Sequence, residues 1–228
     1  MDLAPFSSCT YQLLRQLEEL AGVTPSSVLV DVGCGIGGVA LWFAREHGCQ
    51  VVGIDRCGDA IEIASHRARE WGLSTRARFQ TGDFCASGLA SASADAMVSV
   101  DAFTATDGIE AALAEVRRVL KPGGRFVFTA RELREKGRHF KSIGKDWGKA
   151  LPRYGFEEVH VTVRPNVSEL WGSIYKQWLQ HESALRKELQ AETVDALIKE
   201  ARSGIPSMSE NRNWLLIAAK HGARPPEI

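Results

Sequence analysis

The chain has 228 residues, 44% of them hydrophobic and 25% charged, and its 28 basic and 28 acidic side chains balance to a formal net charge of zero. That length supports one sizeable core, and the charge balance lacks the basic excess that phosphate contacts require, which argues against a nucleic acid partner. Five scattered cysteines (Cys9, Cys34, Cys49, Cys57, Cys85) with no C-x-x-C pair argue against a disulfide framework and a structural zinc site, and no metal is expected. The first twenty residues lack the basic and apolar regions of a signal peptide, and no apolar run is long enough to span a bilayer. The expectation is a soluble cytoplasmic protein, monomeric or homodimeric, with no membrane partner.

The elements follow in order. Leu13, Leu14, Leu17 and Leu20 recur at helical spacing within Thr10 to Ala21, the core of an N-terminal helical segment over 1–26. Ser27 to Val32 is a short apolar run with one acid, as expected of a buried parallel strand. Gly38 to His47 reads as a helix stopped by Gly48, and Gln50 to Asp55 as the second strand. A helix over Ala60 to Trp71 precedes the third strand, Arg76 to Asp83. Ala94 to Asp101 is the fourth strand, Ile109 to Leu120 a helix, Arg125 to Ala130 the fifth strand and Trp147 to Tyr154 a short helix. Glu157 to Val163 and Trp214 to Ala219 complete seven strands. This alternation predicts an α/β fold, a Rossmann-like and mostly parallel sheet covered by helices on both faces, within one domain over 1–228. Residues 165–208 interrupt the rhythm and read as an inserted cap of two helices, the second ended by Gly204 and Pro206.

The chemistry concentrates in "VLVDVGCGIGG", Val28 to Gly38. Gly33, Gly35 and Gly38 satisfy the dinucleotide spacing G-x-G-x-x-G. Gly33, Gly35 and Gly37 equally satisfy the G-x-G-x-G of S-adenosylmethionine sites. Asp31, two residues before Gly33, favours the second, because it suits the ammonium of a methionine moiety where nicotinamide sites carry an apolar residue. Acids stand at four consecutive strand ends: Asp31, Asp55, Asp83 and Asp101. Open parallel sheets bind ligands at that edge. Asp55 suits a ribose diol, Asp83 the exocyclic amine of adenine, and Phe84 the face of its ring.

With "VVGID", "TGDF", "DAMVSVDAF" and "RVLKPGGRFVFTA" following in register, Val28 to Ala130 resembles the class I S-adenosylmethionine-dependent methyltransferases. The last two strands follow that pattern more loosely. The resemblance implies a seven-stranded sheet whose last strand is antiparallel, with S-adenosylmethionine as cofactor and S-adenosylhomocysteine as product. Carried over, Asp31, Gly33, Cys34, Gly35 and Gly37 line the methionine half. Asp55 and Arg56 flank the ribose, Asp83 and Phe84 the adenine, and Asp101, Ala102 and Phe103 the methionine and methyl side. "SVDAFT" stands where enzymes that methylate exocyclic amines of bases or glutamine amides carry N/D-P-P-Y/F, so the resemblance points away from those acceptors.

Methyl transfer mainly needs a positioned nucleophile and removal of its proton. Asp101 is the first candidate near the methyl group, with holding the methionine ammonium or capping the next loop as its structural alternative. His181, on the aromatic stripe of the cap, is a candidate general base. Trp171, Tyr175 and Trp178 read either as helix packing or as a roof over a flat or cationic acceptor, with Tyr175 a candidate there. His139 lies in a loop, Arg131 to Lys145, with six basic residues and two acids. The function expected is methyl transfer to O, N or C of a small molecule, of secondary-metabolite type. The alternatives are a nicotinamide-dependent oxidoreductase and a non-catalytic S-adenosylmethionine-binding partner subunit.

Overall fold

Five residues, Val28–Val32, form β1, and all but the first are buried, because a central parallel strand is covered on both faces. The computed structural model describes residues 7–106, 108–131, 146–208, 213–223 and 226. The basic loop after residue 131, with His139, lies outside the described residues. Around β1 the strands are β2 (Gln50–Asp55), β3 (Ala77–Thr81), β4 (Ala94–Ser99), β5 (Leu120–Arg131), β6 (Phe156–Arg164) and β7 (Trp214–His221). They form one sheet in the order β3-β2-β1-β4-β5-β7-β6, six parallel and the last antiparallel. Its Rossmann-like α/β class is the one expected. β1 pairs with β2 through Asp31 to Gly53 and with β4 through Asp31 to Val98, so strand order reverses at Asp31.

Helices α1 (Tyr11–Ala21), α2 (Gly38–Glu46), α3 (Gly58–Glu70), α4 (Ile109–Val119) and α5 (Trp147–Arg153) complete this unit. α1 starts where the Thr10 hydroxyl accepts the Leu13 N–H at 3.2 Å. It buries Leu13, Leu14 and Leu17 and stops at Gly22, whose φ of +60° is left-handed. β5 begins earlier than Arg125. Leu120 already pairs with Ala94, and pairing resumes at Arg125 opposite Ala96 after a bulge over "KPGG".

Two compact units emerge. Residues 1–162 with 215–228 form one, and Val163–Trp214 forms the other, slightly wider than the expected 165–208. The second unit has three helices where two were expected: α6 (Val167–Gln180), α7 (Glu182–Glu188) and α8 (Ala191–Met208). α8 runs through Gly204 and Pro206 rather than ending there. A Cβ on Gly204 would collide with the Tyr175 ring, so this glycine serves close α6–α8 packing and not termination. The unit's core is Val167, Trp171, Tyr175, Ala201 and Trp214, with the Trp214 indole donating to the Ser168 hydroxyl at 3.1 Å.

Candidate functional site

β1 delivers its glycine-rich turn at the point where strand order reverses. Gly33, Gly35 and Gly37 have φ of +75°, +50° and +80°, which L side chains adopt only with strain. Gly33 is also crowded. A Cβ there would overlap that of Ala102 and lie 3.1 Å from the Phe84 ring. The turn therefore brings the segments after β1, β3 and β4 together.

Gly37 precedes α2 and offers no capping side chain. Asp31 supplies one from a distance, its Oδ2 accepting the Ala40 N–H at 3.1 Å near the helix start. Asp31 is 2% exposed. Burial pushes its carboxyl up to about 7; the Ala40 N–H opposes the rise and the charge of Asp55 adds to it. Burial likewise raises the Cys34 thiol, helped by Asp31 and Asp55.

Asp55, at the end of β2, is held by two backbone donors. Oδ2 accepts the Gly35 N–H and Oδ1 the Cys57 N–H, each at 2.9 Å. Asp83 accepts the Cys85 N–H at 2.8 Å in the loop after β3. Glu115 of α4 anchors that loop, taking the Ser87 N–H at 2.9 Å and its hydroxyl at 2.6 Å. Arg118 beside Glu115, with the Ser87 donors, outweighs burial and holds this carboxyl at about 2.

Asp101 lies two residues past β4 in a left-handed conformation, φ +56°. Its Oδ1 accepts the Thr129 hydroxyl at 2.9 Å and its Oδ2 the Ser8 N–H at 2.6 Å. Its own N–H donates to Thr129 Oγ1 at 2.7 Å.

These segments enclose a cavity of about 420 Å³. Gly33, Asp55, Arg56, Asp83, Phe84, Asp101 and Ala102, all expected from sequence, line it. A second cavity of about 60 Å³ adjoins the glycine turn, walled by Asp31, Cys34 and Gly35 together with Ser7. Phe103 does not line the larger cavity. It is fully buried beneath the site, its ring edge-on to Phe84 and Phe126 at 5.8 and 4.9 Å. An apolar ring in a single 3-10 turn, Phe103–Ala105, gains more from that core than from a polar cleft.

His181 and Tyr175 belong to the second unit. His181 joins α6 to α7 and is exposed, its N–H donating to the Gln177 carbonyl at 2.9 Å. Tyr175 is 3% exposed, packs on Trp171 and Trp178, and donates its hydroxyl to Glu200 Oε1 at 3.0 Å. Within its unit Tyr175 has the contacts of a core residue.

Sequence reasoning missed Ser7, Ser8, Thr106, Gly108 and Thr129. Thr129 did leave a signal, a lone hydroxyl at the carboxyl end of the apolar run "RFVFTA". Ser7 and Ser8 left none, because their places at the site depend on contacts with residues distant in the chain. Among the described residues no helix is long and apolar enough to cross a membrane, and no cluster of three or more His, Cys, Asp or Glu could hold a metal.

The donor set fits a ligand with a diol, a ring amine and a cationic amino acid moiety. Asp55 presents a fixed carboxylate, Asp83 and Phe84 face the cavity together, and the missing side chain of Gly33 leaves room for close backbone approach. Residues 30–128 match a family described as methyltransferase domain. Over 111 residues the chain is 36% identical to a sterol 24-C-methyltransferase of Eremothecium gossypii, covering 49% of this chain. It spans only 30% of that relative's length. A Haemonchus contortus phosphoethanolamine N-methyltransferase 2, solved with S-adenosylhomocysteine, superposes with a TM-score of 0.77 at 20% identity. That match covers 96% of this chain and 55% of the other. The [4+2]-cyclase SpnF gives a TM-score of 0.79 at 21% identity, covering 93% and 81%. At such identities the two structures share the fold.

Proposed function

We propose that the chain is a class I S-adenosylmethionine-dependent methyltransferase and transfers the methyl group of S-adenosylmethionine to a nucleophilic O, N or C atom of a small molecule, a reading supported by the methyltransferase domain matched over residues 30–128. One observation carries the reading. Asp55, Asp83 and Asp101, from three separate strand ends, line a single cavity beside the glycine turn. A sheet with β7 placed between β5 and β6 also departs from the six-strand dinucleotide order, which counts against a nicotinamide enzyme. The relative named for methylating carbon 24 of a sterol supports a small-molecule acceptor.

Bound S-adenosylmethionine supplies a methyl group on a sulfonium, open to in-line displacement. In this reading the Asp55 carboxylate, fixed by Gly35 and Cys57, holds the ribose hydroxyls with Arg56 alongside. Asp83 takes the adenine amine and Phe84 covers the ring. The turn from Gly33 to Gly37 leaves backbone close to the methionine half, while Asp31 keeps the start of α2 in place beside it. Asp101 and Ala102 bound the side where the acceptor meets the methyl group. His181 remains the proposed general base, whereas the Tyr175 hydroxyl is taken by Glu200. Substituting His181→Ala then lowers acceptor turnover while S-adenosylhomocysteine affinity stays within about threefold. Normal turnover by the folded variant removes His181 from the chemistry.

S-adenosylhomocysteine is expected to raise the melting temperature, because a ligand of the folded state stabilises it by mass action, and NAD is not. A screen of phenols, indoles, amines and carboxylates with labelled S-adenosylmethionine then finds the acceptor class. Stabilisation by NAD and none by S-adenosylhomocysteine overturns the reading. Binding without transfer to any acceptor favours a non-catalytic partner subunit.

A further inference from the structure

A left-handed backbone at a residue other than glycine persists only where its surroundings enforce it. Asp101 is such a residue, and it stands at the cavity wall. What enforces it comes from the neighbouring strand. Thr129, on β5, is 1% exposed. Its hydroxyl oxygen accepts the Asp101 N–H at 2.7 Å, and its hydroxyl proton goes to Asp101 Oδ1 at 2.9 Å. One side chain thus grips both the backbone and the carboxylate of the same residue. Nearby, the Ser99 hydroxyl donates to the Val32 carbonyl at 2.7 Å and ties the end of β4 to that of β1. Between these two ties the chain must turn sharply, and the turn sets Ala102 against Gly33.

We infer that Thr129 is a positioning residue for this site: through its hydroxyl it locks Asp101 into the left-handed turn and fixes the carboxylate that faces the ligand. Thr129 does not line the cavity and acts through Asp101. The Ser8 N–H on Oδ2, at 2.6 Å, is a second hold on the same carboxylate from the N-terminal segment. A backbone donor cannot be removed by changing a side chain, so Thr129 is the member of this clamp that substitution can test. The inference rests on reading the cavity as the S-adenosylmethionine site.

The test measures S-adenosylhomocysteine affinity by calorimetry on the full chain. Thr129→Val keeps the shape and removes the hydroxyl, and it is expected to weaken binding about tenfold or more. Thr129→Ser restores the hydroxyl and brings affinity back to within about threefold of wild type. In an Asp101→Ala background, Thr129→Val then adds less than about twofold, since residues acting as one unit are not additive. A folded Thr129→Val variant with wild-type affinity overturns the inference, as does a full loss that persists without the Asp101 carboxylate. If Thr129→Val does not fold, Thr129→Cys, close in size and a weak donor, carries the same comparison. Wild-type protein that binds no S-adenosylhomocysteine refutes the site reading itself, whereas tight wild-type binding with an indifferent Thr129→Val refutes only the role of Thr129.

Discussion

The two edges of the sheet use their acids differently. At the carboxyl edge, Asp31, Asp55 and Asp101 accept hydrogen bonds from the backbone N–H groups of Ala40, Gly35, Cys57 and Ser8. At the amino edge, Asp95 takes the Val28 N–H at 2.8 Å but also pairs with Lys121 at 2.7 Å. Burial alone pushes the Asp95 carboxyl up, yet the Lys121 and Val28 bonds outweigh it and hold it below its ordinary value. Asp31, buried with a backbone donor and Asp55 nearby, moves the opposite way. A carboxylate neutralised by a lysine adds stability and attracts little else. One held by amides is oriented while its charge still reaches the cavity, and that suits a cationic ligand.

The largest expected effect on this contrast comes from Gly33→Ala. The new Cβ meets Ala102 in a left-handed backbone, so S-adenosylhomocysteine affinity is expected to fall at least about 100-fold and the melting temperature to drop. Calorimetry that finds binding intact would show that this turn does not press against the site. Asp55→Ala comes next. It removes the carboxylate proposed to hold the ribose hydroxyls and is expected to weaken the same binding by at least about tenfold. Unchanged affinity in the folded variant would move Asp55 outside the site.

Asp31→Asn sharpens the comparison through pH. The native carboxyl titrates near 7 and the unfolded one near its ordinary 3.8, so between these values the native state binds more protons. Wild-type stability contributed by Asp31 therefore falls as pH rises from 3.8 to about 7. Urea unfolding across that window is expected to show the wild type losing stability relative to Asp31→Asn, which still accepts from Ala40 through its amide oxygen. A pH-independent difference would contradict the raised pKa. The smallest effect belongs to the amino edge. Asp95→Ala is expected to cost about 1–2 kcal/mol of stability, because its partly exposed lysine pair is screened by solvent, and to leave S-adenosylhomocysteine affinity unchanged. A loss of affinity there would abolish the distinction between the two edges.

The sequence by itself determined what rests on local physics. Apolar runs such as "VLVDV" specify buried parallel strands, left-handed turns demand glycine at 33, 35 and 37, and strand length sets the acids at the sheet's edge. Most of the cavity wall was legible for that reason. Only the tertiary structure decided what depends on neighbours distant in the chain. The Ser8 hold on Asp101 joins residues 93 apart, and the Thr129 clamp residues 28 apart; neither leaves a periodic trace. Phe103 sits in a motif that implies ligand contact, yet the rings of Phe84, Phe126 and Phe128 bury it. Gly204 carries the local mark of a helix end, yet the Tyr175 ring packed against it keeps α8 running. In each case packing against a remote partner outweighs a preference of the local sequence, because burial and close contact release more free energy than a single residue's conformational bias.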